Sequence, residues 1–254
     1  MDDSEILIEA DQLCKYYGAF TAIENVSFQI RRGEVVAFLG PNGAGKSTTM
    51  KILTGYLAPS SGTAKIAGFD MSTRRLDGAA RLGYLPENGP LYADMTPRAL
   101  LRFFAQARGL SASRCRASIE RVTELCDLGT VMEKPIGKLS RGYRQRVGMA
   151  QVLLHEPDVL IMDEPTAGLD PNQIHEVRNT IRRLSENRTI LLSTHILQEV
   201  EAMASRILFL SEGRLQYDGP FDKLLENGET LEARFRELSG RNGRQGTFPK
   251  TEES

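Results

Sequence analysis

The stretch Gly40–Thr48, which reads Gly-Pro-Asn-Gly-Ala-Gly-Lys-Ser-Thr, constrains the fold more than any other part of the 254-residue chain. It follows the apolar run Val35–Leu39, whose β-branched and aromatic residues predict a buried strand. The residues from Thr49 to Leu53 contain no helix breaker, so a helix is predicted directly after the loop. A strand, a glycine-rich turn and Lys-Ser/Thr at a helix start form the phosphate-binding loop arrangement.

The residue types of this loop fit the chemistry of a triphosphate. Glycines let consecutive backbone N–H groups converge on a β-phosphate, and the following helix adds partial positive charge at its N-terminus. Lys46 can reach the β- and γ-phosphates, and the Ser47 hydroxyl suits Mg²⁺. The sequence therefore predicts ATP and Mg²⁺ as cofactors. The predicted nucleotide-binding residues of the loop are Gly40, Pro41, Asn42, Gly43, Ala44, Gly45, Lys46, Ser47 and Thr48.

The loop motif by itself does not decide the matter. Its fixed positions arise by chance in roughly one chain of this length in a hundred, so a plain glycine-rich turn with a surface lysine is the alternative. Partner residues further along the chain are needed to choose between the two interpretations.

Acidic residues at the end of a second buried strand supply such partners. The run Val159–Met162 is followed by Asp163 and Glu164, which matches the Walker B arrangement of phosphate-loop ATPases. Asp163 would hold Mg²⁺, and Glu164 would polarise the attacking water. The alternative is that the two acids are only caps at the end of the strand. Without the upstream loop, the two interpretations would be equally favoured. His195, after the strand Thr189–Leu192, is predicted to lie at the same sheet edge and contact a phosphate, although a lone histidine is more often structural.

The segment Leu139-Ser140-Arg141-Gly142-Tyr143 precedes another apolar helix. Ser140 fits an N-cap, and Gly142 permits close approach of an anion to the helix N-terminus. The alternative is a capped helix with a basic, solvated first turn. That alternative is less favourable, because basic side chains oppose the helix dipole there.

Three further residues are candidates with stronger alternatives. Tyr17, in a loop predicted at Lys15–Gly18, could stack on a purine, or it could pack on the sheet. Glu87 follows the apolar strand Leu82–Leu85 and could face a ligand, or it could be an exposed loop acid. Asp170 lies near the predicted start of a helix.

The rest of the chain predicts an inserted helical region and two β regions. Strands are predicted at Ile6–Ile8, at Ile23–Ile30, where apolar and polar residues alternate, and at Thr63–Ile66. Apolar residues at helical spacing predict two helices between Pro97 and Glu133, with a stripe that includes Leu100, Leu101, Phe103, Phe104 and Ala107. Ile207–Leu210 and Leu215–Tyr217 predict a hairpin, and helical segments are expected from Phe221 to Arg236. The polar residues after Gly240 are expected to be disordered.

Composition excludes several classes of protein. A formal net charge of −1 leaves no basic excess for nucleic acid as the main partner. Cys14, Cys115 and Cys126 form no CxxC pair, which favours reduced, buried thiols over a metal site. The acidic N-terminus is unlike a signal peptide, and no apolar run approaches ~20 residues, so any spanning segment is expected in a partner.

Taken in this order, the motifs resemble the ATP-binding subunit of an ABC (ATP-binding cassette) transporter, over about Ile6 to Leu225. The family's signature is typically Leu-Ser-Gly-Gly-Gln, where this chain has Leu139-Ser140-Arg141-Gly142-Tyr143. The family's glutamine after the Leu85-Pro86 strand is replaced by Glu87. Both departures resemble the branch that serves exporters with separate permeases, including gliding-motility, copper-maturation and multidrug types.

The resemblance implies an α/β fold of the P-loop NTPase class and the ABC ATPase type. It has a mixed sheet core, an antiparallel β region and a helical subdomain at about 88–155, inserted in an ATP-binding domain at 5–235. A polar tail at 236–254 follows. It also implies a cytoplasmic location, peripheral on the inner face of the cell membrane, a separate transmembrane permease, a second identical or similar ATP-binding subunit and no nucleic acid.

The resemblance also implies roles for individual residues. Tyr17 would stack on adenine, with Tyr16 as the second candidate, and Asp170 would belong to the loop that crosses to the second subunit. Ser140 and Gly142 would contact the γ-phosphate of an ATP held by the other copy. His195 would be the switch histidine, and Glu87 would mark the hinge that senses the permease, with a metal contact left open.

Two other functions remain as alternatives. A ribosome- or DNA-associated ABC protein usually carries a second cassette, a long coiled coil or a zinc insertion, and none appears in this sequence. A regulatory subunit that binds ATP without hydrolysis would not need Asp163, Glu164 and His195 intact.

Overall fold

The computed structural model describes residues 5–87, 89–196, 200–201, 203–224, 235 and 237. The predicted tail at 236–254, except Glu237, and most of the predicted helical segments after Phe221 lie outside the described residues.

The nucleotide-binding loop begins at the end of a strand in the middle of a six-stranded sheet. The strand order is β10-β9-β3-β8-β7-β6. All neighbours pair in parallel except β10, which pairs antiparallel with β9 as the predicted hairpin. Parallel strands have their carboxyl ends at one edge of the sheet, so the loop, the acidic pair and His195 all lie at that edge. The strands are β3 (Val35–Leu39), β6 (Leu82–Leu85), β7 (Val159–Asp163), β8 (Thr189–Thr194), β9 (Arg206–Ser211) and β10 (Arg214–Pro220).

A second sheet of four antiparallel strands has the order β2-β1-β4-β5. The prediction of a loop at Lys15–Gly18 is wrong for the two tyrosines, because β1 continues through Tyr16 and Tyr17 and the turn begins at Gly18. Register shifts along the β1–β2 pairing let these strands remain paired over a length that simple alternation did not reveal. The strands are β1 (Ile6–Tyr17), β2 (Phe20–Arg31), β4 (Ser61–Ile66) and β5 (Phe69–Asp70).

The helix after the loop begins before Thr49, the first residue of the stretch without helix breakers that predicted it. Lys46 is its first residue, so the loop lysine projects from the first helical turn. A short helix at Arg75–Ala80 was not predicted. The helices are α1 (Lys46–Leu53), α2 (Arg75–Ala80), α3 (Pro97–Ala107), α4 (Ala112–Leu125), α5 (Arg141–Leu153), α6 (Pro171–Ser185) and α7 (Phe221–Leu224), with 3-10 turns at Gly129–Val131 and Ile136–Lys138.

The predicted helical insertion is present as α3 and α4. Thr96 and Ser111 cap the two helices, each accepting a hydrogen bond from a backbone N–H of the first turn. Leu100 and Leu101 are fully buried, whereas Phe103 is 48% exposed, so the predicted apolar stripe was too wide.

Alternate residues of the six-stranded sheet face two separate cores. In β3, Val36 and Phe38 belong to the core shared with α1 and the four-stranded sheet. Ala37 and Leu39 belong to the core shared with α3 to α6. A strand buried on both faces reads as a continuous apolar run, which is the pattern that predicted it.

Candidate nucleotide-binding and hydrolysis site

The loop between β3 and α1 needs glycine at Gly45. This residue has φ +106°, and a Cβ there would lie 2.5 Å from Ile23 Cγ2 and 2.7 Å from the Ala22 carbonyl oxygen. Only glycine adopts that backbone angle without strain and leaves that space free. Contact with β2 therefore fixes the loop in a tight curve at the N-terminus of α1, which suits binding of an anion.

Lys46 is turned back over its own loop. Its side chain is buried, and Nζ donates to the carbonyl oxygens of Gly40 at 2.7 Å and Pro41 at 3.3 Å. Nζ also lies 3.9 Å from a carboxylate oxygen of Glu164. Burial lowers the pKa of Lys46, while the charges of Glu164 and Asp163 act in the opposite direction. The lysine charge is thus held between the loop and the acidic pair.

A buried serine ties the acidic pair to β8. Ser193 Oγ donates to Asp163 Oδ1 at 2.5 Å and accepts from the backbone N–H of Glu164 at 2.9 Å. Ser47 Oγ lies 3.4 Å from the same Asp163 oxygen. A serine hydroxyl and a carboxylate are hard oxygen donors of the kind that Mg²⁺ accepts beside phosphate oxygens, so the residues present fit this ion.

Glu164 occupies a strained backbone position. Its φ is +49°, in the left-handed region that glutamate seldom adopts. Its carboxylate is 2.8 Å from Nδ1 of His195, and its backbone N–H is held by Ser193. The described contacts thus aim the carboxylate at the loop lysine and His195 together.

The loop residues 42–48 and Glu164 line one cavity of about 430 Å³, whereas the predicted site residues Gly40, Pro41 and Asp163 are not among its lining residues. Glu87 and His195 reach it from β6 and β8, as predicted for the carboxyl edge of the sheet. Phe20 lines it from β2 and is 63% exposed, whereas Tyr17 is not among the lining residues. The full lining is Phe20, Ala22, Asn42, Gly43, Ala44, Gly45, Lys46, Ser47, Thr48, Glu87, Glu164, Ala167 and His195.

The signature segment lies elsewhere. Ser140 is the N-cap of α5, as predicted, and its hydroxyl accepts from the Tyr143 N–H at 3.3 Å. Gly142 lies against α6, where a Cβ would be 2.8 Å from Gln173 Cγ. Asp170 caps α6 by accepting from the Gln173 N–H at 3.0 Å. None of Ser140, Gly142 and Asp170 lines the cavity that contains Lys46.

A second cleft, of about 520 Å³, opens between the sheet and the helices α3 and α5. Tyr56 and Tyr84 line it from the sheet side, with ring centroids 5.6 Å apart, and Phe104 lines it from α3. Arg141 and Arg144 of α5 contribute positive charge. Glu87 lines this cleft as well as the nucleotide cavity, so one side chain borders both.

Sequence reasoning missed Phe20 and the bridging role of Ser193. The position of Ser193 at the carboxyl end of a buried strand, next to the Asp-Glu pair on the neighbouring strand, was the available signal. The three cysteines are buried and free, as predicted. Among the described residues, no helix is long and apolar enough to cross a membrane.

A family model described as "ABC transporter" matches residues 23–167, which span the loop, the signature segment and the acidic pair. The chain belongs to the ABC transporter family. The resemblance drawn from the motifs is confirmed, and the protein is an ATP-binding cassette subunit of the kind that hydrolyses ATP to power transport. A model described as an AAA domain, putative AbiEii toxin, also matches 135–201, within and just beyond this region.

The alignments with curated relatives cover most of this chain and most of each relative. An uncharacterised ABC transporter ATP-binding protein of Bacillus subtilis is 38% identical over 224 residues, 88% of this chain and 74% of the relative. A Nod factor export ATP-binding protein of Paraburkholderia xenovorans is 39% identical, covering 85% of this chain and 71% of the relative. A bacitracin transport ATP-binding protein of Bacillus licheniformis is 37% identical, with 86% and 71% covered.

Solved structures agree on the fold. An ATP-binding subunit of an ABC transporter superposes with a TM-score of 0.80 at 33% identity, covering 92% of this chain and 99% of that one. A nucleotide-free ATP-binding cassette gives 0.79 at 20% identity, with 89% and 96% covered. The predicted class, an α/β ATPase with an antiparallel region and a mixed sheet, is confirmed.

Proposed function

We propose that this cassette energises an exporter whose permease is a separate chain, through ATP-dependent pairing of two cassettes. The observation that carries the proposal is the separation of the two phosphate-binding elements. Lys46 and Glu164 share one cavity, while Ser140 caps a helix outside it. A second subunit arranged head to tail would bring its Ser140 and Gly142 to the nucleotide held by the first subunit.

The residues in and beside the cavity have distinct roles in this proposal. The loop backbone and Lys46 bind the phosphates, and Ser47 and Asp163 would hold Mg²⁺, which would supply positive charge beside the phosphate oxygens. Glu164 accepts a proton from the attacking water, and His195 contacts the γ-phosphate while keeping Glu164 oriented. An aromatic ring at the β1–β2 turn, Tyr17 or the cavity-lining Phe20, stacks on adenine.

The second cleft is the proposed docking surface for the permease. It combines aromatic side chains, which suit a buried anchor, with the positive charges of Arg141 and Arg144. Glu87 borders both cavities, so a change at the γ-phosphate can reach the docked segment in one step. Loss of the γ-phosphate loosens the paired cassettes, and that motion drives the permease. The cassette would lie on the cytoplasmic face, held there by the permease.

The exporter assignment follows the relatives, two of which are named for Nod factor export and bacitracin transport. Co-purification tests the partner. The tagged cassette, expressed with its candidate permease, is expected to retain that multi-span protein in detergent, and replacing Tyr84 with Asp in the cleft should release it. Retention by the Asp variant would remove the cleft from this role.

The substitution Glu164→Gln tests the catalytic part. Steady-state hydrolysis is expected to fall by about a thousandfold, since the amide cannot accept the proton, while ATP binding persists and an ATP-dependent dimer accumulates. Turnover is measured by phosphate release and dimer by sedimentation. Glu156→Gln is the matched control, because Glu156 also has positive φ but precedes the amino end of β7 and pairs with Arg121. Undiminished turnover in Glu164→Gln would contradict the assignment.

A further inference from the structure

We propose that Arg141 is a positioning residue for ATP hydrolysis. Its guanidinium holds Gly168, and through Gly168 it fixes the segment from Glu164 to Asp170 that forms one wall of the nucleotide cavity. The inference rests on the proposed role of Glu164 as the group that activates water.

The contact between the two residues is close. Gly168 has φ +67°, and the three nearest atoms to a Cβ built there all belong to the Arg141 guanidinium, with Cζ at 2.5 Å and Nη2 at 2.8 Å. The guanidinium therefore occupies the space that a side chain at position 168 would need. Glycine avoids the strain of this backbone angle, and it leaves the guanidinium in place, whereas a methyl group would displace it.

The segment that Gly168 belongs to is a pair of tight turns. The Ala167 N–H donates to the Glu164 carbonyl at 3.0 Å, and the Leu169 N–H donates to the Thr166 carbonyl at 3.2 Å. Ala167 lines the nucleotide cavity, and Leu169 packs against the helical-side core. These two hydrogen bonds restrict the backbone between Glu164 and Gly168. A displacement of Gly168 therefore moves the backbone that carries the catalytic carboxylate.

Arg141 stands where the usual signature has its first glycine, which has no side chain to make this contact. The neighbouring arginines of α5 are engaged differently. Arg144 donates to the Leu139 carbonyl, and Arg146 is buried with Asp127 and Glu176. Arg141 also lines the second cleft, so it joins that cleft to the wall of the nucleotide cavity. This link is additional to the one that Glu87 makes.

A double-mutant cycle on the 254-residue chain tests the contact. In Arg141→Ala, kcat for ATP hydrolysis is expected to fall about tenfold with KM within about twofold, since positioning and not nucleotide binding is lost. In Gly168→Ala, the new methyl group displaces the flexible guanidinium and gives a similar loss. The double variant should be no slower than Gly168→Ala alone, because both changes remove one contact.

Two controls separate this effect from general damage. Gly109→Ala introduces the same backbone strain at φ +74° with no atom within 4 Å, and Arg102→Ala removes an exposed arginine of α3. Both are expected to retain wild-type kcat. Additive losses in the double variant, or an unchanged kcat in Arg141→Ala, would overturn the proposal.

The expected kinetic pattern also distinguishes positioning from a direct phosphate contact. If Arg141 reached a phosphate across the paired cassettes, its loss would raise KM for ATP, and that result would overturn the positioning role. The outcome is distinguishable from failure of the broader mechanism. Normal turnover in Glu164→Gln would remove the assigned base, whereas inactive Glu164→Gln with fully active Arg141→Ala would remove this inference alone.

Discussion

Ser193 offers a direct test of how the acidic pair is held. Its side chain is fully buried and makes two hydrogen bonds, one to the Asp163 carboxylate and one from the Glu164 N–H. The substitution Ser193→Ala removes both. A hydrogen bond to a charged group contributes about 1.5–3 kcal/mol, and a buried N–H left without a partner costs about 1–3 kcal/mol. Because the two terms share one hydroxyl, the expected loss in the free energy of unfolding is about 3 kcal/mol.

The measurement is thermal unfolding of the nucleotide-free chain. At about 2–4 °C per kcal/mol for a chain of this size, the midpoint should fall by roughly 9 °C. The matched control is Thr180→Val in α6. Thr180 is 2% exposed, and its hydroxyl donates to the Glu176 carbonyl of its own helix, so its loss should cost less than about 1 kcal/mol.

Hydrolysis should fall with stability in Ser193→Ala, by about tenfold or more in kcat, because both acids lose their shared anchor. A midpoint within about 2 °C of the wild type would refute the reasoning. It would mean that the Asp163 carboxylate and the Glu164 N–H are satisfied without the serine.

Three further predictions concern binding and pH. Lys46→Ala should weaken ATP binding in a fluorescence titration, and undiminished affinity would count against the loop assignment. Tyr17→Ala should raise the Kd for ATP about tenfold while leaving tripolyphosphate affinity unchanged, since stacking involves only the base; a loss confined to Phe20→Ala would move the stacking to that ring. Burial lowers the pKa of His155 from 6.5 to about 4. As the pH falls from about 7.5 to about 5, the unfolded chain therefore binds a proton at His155 that the folded chain does not bind. Folding stability should therefore drop by roughly 2 kcal/mol more between about pH 7.5 and about pH 5 in the wild type than in His155→Gln, as measured by urea unfolding.

Much of the fold was predictable because its strands are buried on both faces. Val35–Leu39 and Val159–Met162 read as unbroken apolar runs, and the structure places both in the six-stranded sheet. The caps Ser140 and Asp170 were also predictable, since their side chains act on backbone atoms only a few residues away. Local chemistry and strict burial therefore gave reliable signals.

Features that depend on contacts between distant segments were not predictable. Whether Phe103 is buried depends on which face of α3 meets α4 and α5, and a helical period alone does not fix this. The left-handed backbone of Glu164 depends on Ser193 and on the turns that follow. The proximity of the Arg141 guanidinium to Gly168 joins residues near two helix starts, which no spacing rule connects.

The division of β3 between two cores limits how this protein can vary. Conservative apolar replacements at Val36 or Phe38 alter volume in one core and leave the other unchanged. Insertion or deletion of a single residue would instead exchange the two sets of side chains and shift Gly40 along the strand axis. Homologous cassettes are therefore expected to differ freely in composition here but to share one strand length, and length variation should accumulate in the turns at the opposite edge of the sheet.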